Sequence, residues 1–400
     1  MNVESVLGKV GKFKVCFREE QLTNHAGGVS VDELAKHLGH RQRKTALVFD
    51  LSATDRYTLI PMIEEKIRAY LHSKLPQASS LALRNFRRHT EGWSWETFSF
   101  DASWEEHGRK VRQGYVLRKE PDRAGVVGKY DTFAQFRVLR ALEDTPVAAP
   151  PVFWYELTRD ILGAPFFIME KVEGEIPLPW ADKEHGPFAD AAEQHNIARQ
   201  FIENLAHLHT VDWQAKGLAF LGAPQPGQGA ALQEVEKWET QLNQVELTPM
   251  PLLRRALLWL KQHAPIAPRI SIIHGDYRLG NFICGDGRIV AMLDWELVHL
   301  GDPLEDIGWI CLRPWRGRSQ YMASLIERAE LYQLYESLTG IHVTDEHVRF
   351  YEVLGNLKLA VIHLTAARAF EDGTNPDVRL ATMGHHYIFM LKHIGELLDI

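Results

Sequence analysis

The sequence predicts an α+β fold, with a small β-sheet early in the chain and a mostly helical region after it. Segments of strand character, in which apolar residues alternate loosely, are concentrated between residues 81 and 169. From residue 189 onwards the apolar residues recur at helical spacing instead. With 400 residues and a 45% hydrophobic composition, the chain can bury a sizeable core and form two lobes.

The first half of the chain contains the predicted sheet and two helices. Residues 59–75 have helical periodicity that Pro76 ends. Strands are predicted at residues 81–104 (two strands around a tight turn), 114–118, 146–155 and 166–169. A polar hairpin turn is predicted at residues 108–114, a helix at 131–143 and a polar crossover at 170–174. Six later helices are predicted at residues 189–209, 232–247, 252–263, 320–339, 347–370 and 381–398.

The composition excludes several classes of protein. A formal net charge of −7 provides no basic field, which argues against nucleic acid or an anionic membrane as a partner. Three cysteines without paired or metal-type spacing indicate free thiols in a reducing compartment. Residues 1–30 lack the apolar core of a secretory signal, and Gly163 and Pro165 interrupt the apolar stretch at 161–169. We therefore expect a cytoplasmic protein without a membrane span.

The run HGDYRLGN, from His274 to Asn281, is the most informative segment of the chain. An apolar segment leads into it, and a second one leads into Asp294, 13 positions after Asn281. Magnesium prefers carboxylate and other oxygen ligands, and phosphoryl transfer needs a further acid beside the attacking hydroxyl. Asp276 and Asn281 would each also suit a plain turn. The three residues in this order and spacing favour a kinase with Asp276, Asn281 and Asp294 as its minimal set.

This segment, followed by LDWELVHLGDPLEDIGW, resembles the aminoglycoside phosphotransferase-like kinases. The branch it resembles stands alone in bacteria or is fused to acyl-CoA dehydrogenases in animals. The resemblance covers about residues 82–372 and implies a bilobal protein-kinase-like fold that uses ATP and Mg²⁺. It implies an N-lobe at 81–173, with an antiparallel sheet and one helix, and a helical C-lobe at 174–400 with the acceptor site. Residues 1–80 are then a partly helical accessory segment.

The resemblance assigns nucleotide contacts in the N-lobe. Gly92, Ser94 and Thr97 match the turn that caps the triphosphate, although a plain hairpin turn would explain the same residues. Arg118 matches the strand cation that holds the α- and β-phosphates. Neighbours on a strand point to opposite faces, so we assign Arg118 rather than Lys119 to this role. A solvated charge on an edge strand is the alternative.

The next helix departs from the family pattern at Gln135, where relatives carry a glutamate that pairs with the strand cation. Arginine stays charged without such help, so Gln135 is expected to orient Arg118 through a neutral hydrogen bond. Asp131, one turn earlier, is a second possibility. In the segment between the lobes, the resemblance implies that the Glu170 carbonyl and the Val172 N–H bind adenine.

The resemblance also implies roles in the catalytic segment. Asp276 orients the acceptor hydroxyl and takes its proton late in the step, and Arg278 neutralises charge on the transferring phosphoryl group. Asn281 and Asp294 hold Mg²⁺. His274 is expected to fix the loop rather than carry a proton.

Three further acids follow Asp294. Glu296 either has a structural role or binds the metal through water. Asp302, before a proline, is expected to anchor the start of a helix, and Asp306 is expected to hydrogen-bond the catalytic segment. The family motif LGDPxxD is intact in this sequence.

The acceptor is the least certain inference from sequence. Residues 205–213 resemble the acyl-CoA dehydrogenase-associated branch, which phosphorylates the hydroxyl of hydroxyacyl-CoA thioesters. Arg313, Arg316 and Arg318 could contact the phosphates of coenzyme A, although the residues themselves favour a solvated arginine cluster. A polycationic aminoglycoside would favour a conspicuously acidic cleft.

Three hypotheses therefore stand. The first is an ATP- and Mg²⁺-dependent kinase of a hydroxyacyl-CoA or a similar hydrophobic hydroxy compound. The second is the same chemistry on a small polar metabolite, such as choline, a sugar, an amino alcohol or an aminoglycoside. The third is a non-catalytic nucleotide-binding scaffold, which Gln135 favours and which the intact Asp276, Asn281 and Asp294 oppose. The sequence leaves the oligomeric state open.

Overall fold

The computed structural model of the protein describes the greater part of the chain after residue 59. The described residues are 60–89, 95–121, 123, 130–178, 188, 190–246, 248–317 and 319–400. All of them belong to one of the two compact units of the chain, Ile60–Ile400.

The N-lobe is a five-stranded antiparallel sheet with two helices, one before the first strand and one between the third and fourth strands in sequence. The strand order is β1-β2-β3-β5-β4. The elements are α1 (Ile60–Lys74), β1 (Ser79–His89), β2 (Glu96–Glu106), β3 (Arg109–Lys119), α2 (Thr132–Leu142), β4 (Val152–Glu156) and β5 (Phe166–Glu170).

The two faces of this sheet differ in chemistry because side chains alternate along each strand. Phe98 on β2 pairs with Leu117 on β3, and both are fully buried. Helix α1 covers this apolar face, with the Tyr70 and Phe166 rings in edge contact at a centroid distance of 5.2 Å. The other face carries Arg118 together with the buried Phe167 opposite it, and Arg118 reaches from this face to the C-lobe.

The predicted hairpin turn at residues 108–114 was too long. The turn occupies only residues 107 and 108, and β3 begins at Arg109. Pairing continues from Tyr115 down to Arg109, which lies opposite Glu106. The side chains of this outer part are polar and mostly exposed, so their composition suggests a turn while the backbone ladder makes a strand.

The C-lobe is mainly helical and contains two small two-stranded sheets, β6 with β9 and β7 with β8. Its helices are α3 (Ala191–Thr210), α4 (Gly229–Val245), α5 (Pro251–Gln262), α6 (Leu304–Ile310), α7 (Arg328–Thr339), α8 (Asp345–Glu371) and α9 (Val378–Leu398). Its strands are β6 (Ser271–Ile273), β7 (Phe282–Gly285), β8 (Arg288–Met292) and β9 (His299–Gly301).

All six predicted C-lobe helices are present, but the one predicted at residues 320–339 begins only at Arg328. The preceding residues form a tight turn in which the Met322 N–H donates to the Ile326 carbonyl at 2.7 Å. Ala323 and Ser324 have φ angles of 48° and 62°, a left-handed conformation that a helix excludes.

Helix α8 passes through the centre of the C-lobe. By length and composition it could cross a membrane, but 61% of its apolar window is buried within the protein, as in a core helix. Helix α6 crosses it at very close range. A Cβ atom added at Gly308 would lie 2.4 Å from the Tyr351 Cβ, so this crossing requires a glycine.

Gly308→Ala is therefore expected to destabilise the protein by about 1–3 kcal/mol, the usual cost of overpacking a core. Urea denaturation measures the change. Gly285→Ala is the matched control, because its added Cβ would meet its nearest neighbour, the Glu173 carbonyl oxygen, at an ordinary 3.6 Å. Equal stability of the two variants would show that α6 can shift along α8 without cost.

Candidate active site

The segment from residue 274 to 281, called the catalytic loop below, follows β6 and contains Asp276, whose carboxylate accepts from two donors of the loop and one on α6. Oδ1 accepts from Arg278 Nε at 2.8 Å and from Trp309 Nε1 at 2.9 Å. Oδ2 accepts from Asn281 Nδ2 at 2.6 Å. These contacts fix the plane of the carboxylate, and they bring together Asp276, Arg278 and Asn281 as the sequence predicts.

His274 is completely buried and links this loop to the strand end that carries Asp294. The His274 ring contacts the Leu293 carbonyl through Nε2 at 2.9 Å, while Nδ1 faces the Asp276 backbone N–H at 3.2 Å. A carbonyl can only accept and an N–H can only donate, so the proton lies on Nε2. Burial lowers the pKa of His274, which favours the neutral ring. The geometry suits a structural role.

Asp306 on α6 lies directly beneath the loop and is fully buried. Its Oδ2 accepts from the His274 N–H at 2.8 Å, and its Oδ1 accepts from the Gly275 N–H at 2.9 Å. The His209 ring contacts Oδ2 through Nε2 at 3.1 Å. Burial alone would raise the pKa of Asp306, but the hydrogen bond and charge of His209 lower it below its usual value. The expected contact with the catalytic loop is present.

Asp302 anchors the start of α6, as expected from its position before a proline. Its Oδ1 accepts from the Leu304 N–H at 2.9 Å, and its Oδ2 contacts Nε2 of His347 at 2.7 Å. The second contact ties the beginning of α6 to α8.

Asp294 follows β8 and begins a short turn with residues 295–297. Its φ of 61° is left-handed, which aspartate tolerates better than most residues. Its Oδ1 accepts from Arg118 Nη2 at 3.1 Å. The ion pair joins β3 of the N-lobe to the C-lobe, and both side chains are largely buried, at 12% and 33% exposure. The structure thus brings the predicted strand cation and the predicted metal ligand together.

The strand alternation used to choose between Arg118 and Lys119 is observed. Lys119 points to the opposite face, where its Nζ contacts Glu96 Oε2 at 2.7 Å. Thr97 lies opposite Arg118 in the β2–β3 ladder. Gly92 and Ser94 lie outside the described residues.

The predicted partner of Arg118 was wrong. Neither Gln135 nor Asp131 hydrogen-bonds Arg118 in the described part of the chain; the guanidinium pairs with Asp294 instead. A carboxylate attracts a guanidinium more strongly than a neutral amide does. Gln135 is buried in a small cleft beside Trp95, and Asp131 caps α2 by accepting from the Ala134 N–H at 2.7 Å.

Glu296 connects the Asp294 turn to the N-lobe. Its Oε2 accepts from Trp95 Nε1 at 2.7 Å, and the Trp95 ring also lies 5.1 Å from the guanidinium of Arg118. Burial and the negative charge of Asp294 raise the pKa of Glu296 to about 8, although Arg118 and the Trp95 hydrogen bond oppose this. Glu296 therefore serves at least as a bridge between the lobes.

Glu170 and Val172, the residues expected to bind adenine, lie where the chain leaves the sheet. The Glu170 N–H donates to the Pro151 carbonyl at 2.8 Å. Two residues beyond Val172, Gly174 has a φ of 146°, and an added Cβ would lie 2.3 Å from the Cys284 carbonyl oxygen. The chain between the lobes is thus pressed against β7.

Arg278 and two aromatic rings lie beside Asp276, and Arg313 lies on the same segment as the second ring. The guanidinium of Arg278 stacks over the Trp315 ring at 4.6 Å, and the rings of Trp309 and Trp315 are 5.5 Å apart. Arg313 is exposed, with its Nη1 contacting the Ser319 carbonyl at 3.2 Å.

The expectation of an arginine cluster holds only in part. Arg316 is mostly buried, hydrogen-bonds the Cys311 carbonyl and lies 3.7 Å from Glu352. It is therefore neither a solvated charge nor directed at a ligand. Arg318 lies outside the described residues.

Sequence reasoning missed two indoles of the site, those of Trp95 and Trp309. Trp309 follows Asp306 by three positions on α6, so the two share a helix face, and this spacing is the signal that could have identified it. Trp95 has no comparable signal, since its contact with Glu296 joins residues 201 positions apart.

Comparison with known proteins identifies the family of this chain. The model of the phosphotransferase enzyme family matches residues 85–341, well over half of the chain. The chain belongs to this family. It is accordingly an enzyme, a phosphotransferase that acts on hydroxyl groups of small molecules.

Two curated relatives show the branch of this phosphotransferase. It is 30% identical over 239 residues to acyl-CoA dehydrogenase family member 10 of Mus musculus, covering 59% of this chain and 21% of that protein. It is 28% identical over 328 residues to acyl-CoA dehydrogenase family member 11 of Rattus norvegicus, covering 77% and 40%. The chain spans less than half the length of either relative. The resemblance drawn from the sequence is confirmed.

Solved structures share the fold. A Ralstonia eutropha JMP134 protein with a provisional aminoglycoside phosphotransferase designation is 26% identical, with a TM-score of 0.64 over 84% of this chain and 98% of that chain. The macrolide 2′-phosphotransferase MphH of Brachybacterium faecium is 18% identical, with a TM-score of 0.50 over 79% and 97%. The predicted bilobal, kinase-like α+β fold of the phosphotransferase is confirmed.

Asp306→Asn is expected to destabilise the phosphotransferase by about 3–5 kcal/mol at pH 7. The substitution removes the buried negative charge to which the loop N–H groups and His209 are hydrogen-bonded. The Asp306 pKa is depressed, so its stabilising contribution is fully present above the ordinary aspartate pKa and is lost as the pH falls through the lower folded value. The difference between the variant and the unmodified protein should therefore shrink in urea denaturation from pH 7 to pH 3.

The exposed Asp144, which pairs with Lys216 at the surface, provides the control. Asp144→Asn should change stability by less than about 1 kcal/mol. A loss for Asp306→Asn that does not vary with pH would contradict the charge-based account.

Proposed function

We propose that this phosphotransferase transfers the γ-phosphoryl group of ATP, with Mg²⁺, to the hydroxyl of a hydroxyacyl-CoA or a similar hydrophobic hydroxy compound. The observation that carries the proposal is the arrangement of Asp276, Asn281 and Arg278 on one loop, close to the Arg118–Asp294 ion pair between the lobes. Phosphoryl transfer depends mainly on positioning and on charge neutralisation, and this arrangement provides both.

Asp276 is suited to orient the acceptor hydroxyl. Its Oδ1 already accepts two hydrogen bonds, from Arg278 and Trp309, whereas its Oδ2 accepts one, from Asn281. Within the described residues, Oδ2 therefore has more capacity for a further donor. We assign it to the hydroxyl of the acceptor, whose proton it would take late in the transfer. Arg278 would neutralise the charge on the transferring group.

Asn281 and Asp294 fit a magnesium ion. Asn281 uses its Nδ2 on Asp276, so its amide oxygen remains for a metal, and Asp294 supplies a carboxylate. These are the oxygen donors that Mg²⁺ prefers. When bound, Mg²⁺ would neutralise the phosphate charge.

Arg118 fits a phosphate contact. Its Nε is buried and has no hydrogen-bond partner in the described part of the chain, so a donor remains for a phosphate oxygen. Its Nη2 is paired with Asp294, a carboxylate whose charge stabilises the guanidinium beside the cleft.

The acceptor class is supported by the surroundings of Asp276. Trp309 and Trp315 provide apolar surface, and Arg278 and Arg313 provide positive charge. The Trp315 Nε1 is buried without a hydrogen-bond partner among the described groups, which suits an acceptor that carries an oxygen such as a carbonyl. This set suits an apolar chain joined to phosphates. The similarity to acyl-CoA dehydrogenase family members 10 and 11 points the same way.

A second candidate is the same transfer to a small polar acceptor, including an aminoglycoside. The 26% identity to the Ralstonia eutropha protein, with its aminoglycoside phosphotransferase designation, favours it.

Release of ADP by the purified protein with Mg·ATP tests both candidates. The panel comprises hydroxyacyl-CoAs, the corresponding free hydroxy acids, apolar alcohols, choline and an aminoglycoside. Stimulation by hydroxyacyl-CoA above the free acids is the expected result and would also show that the coenzyme is recognised. Stimulation by the aminoglycoside or choline alone would replace the proposal by the second candidate. Free acids that match their thioesters would limit recognition to the acyl part.

Arg118→Ala is expected to weaken Mg·ATP binding by about 10- to 100-fold, because a charged hydrogen bond to phosphate contributes about 1.5–3 kcal/mol. Isothermal titration calorimetry measures this without an acceptor. The matched control is Lys119→Ala, the neighbouring cation that pairs with Glu96 on the other face of the sheet. The control should retain ATP affinity while losing stability. Equal losses of affinity would remove Arg118 from the nucleotide site.

A further inference from the structure

We infer that Trp309 is a positioning residue for phosphoryl transfer, which holds the Asp276 carboxylate in the orientation that the acceptor hydroxyl requires. The inference rests on the role proposed for Asp276. Trp309 Nε1 donates to Asp276 Oδ1 at 2.9 Å, and the indole is only 3% exposed. A buried indole donor to a carboxylate fixes its direction, because the ring cannot turn without losing both its packing and its hydrogen bond.

Helix α6 presents Trp309 as part of a platform. Asp306 and Trp309 are three positions apart on the helix and share one face. Asp306 accepts hydrogen bonds from the backbone N–H groups of His274 and Gly275, and Trp309 donates a hydrogen bond to the side chain of Asp276. Three consecutive residues of the catalytic loop are thus held by two side chains of a single short helix.

A buried cation on α8 supports the indole from behind. Lys358 Nζ lies 4.4 Å from the centroid of the Trp309 ring and donates to the Gly275 carbonyl at 2.7 Å. The Lys358 side chain is 2% exposed, and Glu305 lies 3.7 Å from its Nζ. A cation over the face of a desolvated indole is attracted by the ring quadrupole. The loop backbone and the Trp309 ring are therefore fixed by the same ammonium group.

The close crossing of α6 and α8 keeps these groups in register. Gly308, the residue before Trp309, packs against Tyr351 on α8 with no space for a side chain. Trp309 therefore cannot shift along α8 relative to Lys358. The packing of α6 against α8 therefore also fixes the orientation of the Asp276 carboxylate.

Trp309→Phe tests the inference, because phenylalanine keeps an aromatic ring and removes the donor. The expected result is a kcat about 10- to 100-fold lower, because the variant loses one hydrogen bond to a charged group in the transition state. Affinity for Mg·ATP should be unchanged in calorimetry. The matched control is Trp213→Phe, which removes an indole donor to the Ile270 carbonyl, 3.0 Å away, without touching Asp276. The control should retain kcat.

A double-mutant cycle separates positioning from a general loss of structure. Asp276→Asn alone is expected to lower kcat by about 10²–10⁴-fold. Adding Trp309→Phe to it should cost little more, since the carboxylate that Trp309 orients is already absent. Independent, additive losses would overturn the inference, as would a Trp309→Phe kcat within about twofold of the unmodified enzyme.

The measurements use Mg·ATP hydrolysis with water in place of the alcohol, together with the hydroxyacyl-CoA reaction. A defect of Trp309→Phe in hydrolysis supports the inference even where the acceptor assignment fails. If Trp309→Phe does not fold, Lys358→Met provides the second test. It removes the cation behind the ring and should lower kcat without changing ATP affinity; an unchanged kcat would overturn the inference.

Discussion

A carboxylate buried beneath the catalytic loop is the interaction on which the rest of the site depends. Asp306 accepts hydrogen bonds from the backbone N–H groups of His274 and Gly275, and His209 on α3 contacts it through Nε2. Transfer of this charge from water is costly, and only the full set of donors compensates for it. The loop can therefore adopt its shape only when α3, β6 and α6 are all in place. Asp276 acquires its position as a result of this assembly.

The N-lobe is joined to this assembly by side chains that meet near the proposed phosphate site. Arg118 reaches from β3 to Asp294, and Trp95 reaches to Glu296 two positions later. The lobes thus meet where the charge of a nucleotide would lie. The same groups that bind ATP in the proposal also hold the two lobes together in the structure described here.

The sequence was sufficient for the architecture and for the candidate catalytic segment, and it failed where contacts join distant parts of the chain. The prediction of Asp276, Asn281 and Asp294 rests on their order along the chain, and the structure brings Asp276 and Asn281 into contact. Strand alternation was enough to separate Arg118 from Lys119. Gln135 was assigned as the partner of Arg118 by analogy along a helix, whereas the actual partner comes from another lobe.

Elements of few residues were missed for a related reason. Strand β9 and helix α6 comprise three and seven residues, which is too short for periodicity to identify them. The polar outer part of β3 has the composition of a turn, because composition reports solvent exposure and not backbone pairing. Conversely, the 27-residue α8 was clear from its apolar repeat, although its buried Lys358 gave no sign of its place beneath the catalytic loop.

The glycine between the lobes has a mechanical consequence. Immediately after Gly174, the Glu175 N–H donates to the Cys284 carbonyl at 2.8 Å, and the Cys284 N–H donates back to Glu175 at the same distance. From this point the chain is attached to the β7–β8 hairpin. Along the covalent chain, a rotation of the sheet relative to this hairpin would fall on the few residues between β5 and Gly174. This hinge lies beside Glu170 and Val172, the residues proposed to bind adenine, so a rotation there would open the proposed cleft at its phosphate end more than at its adenine end.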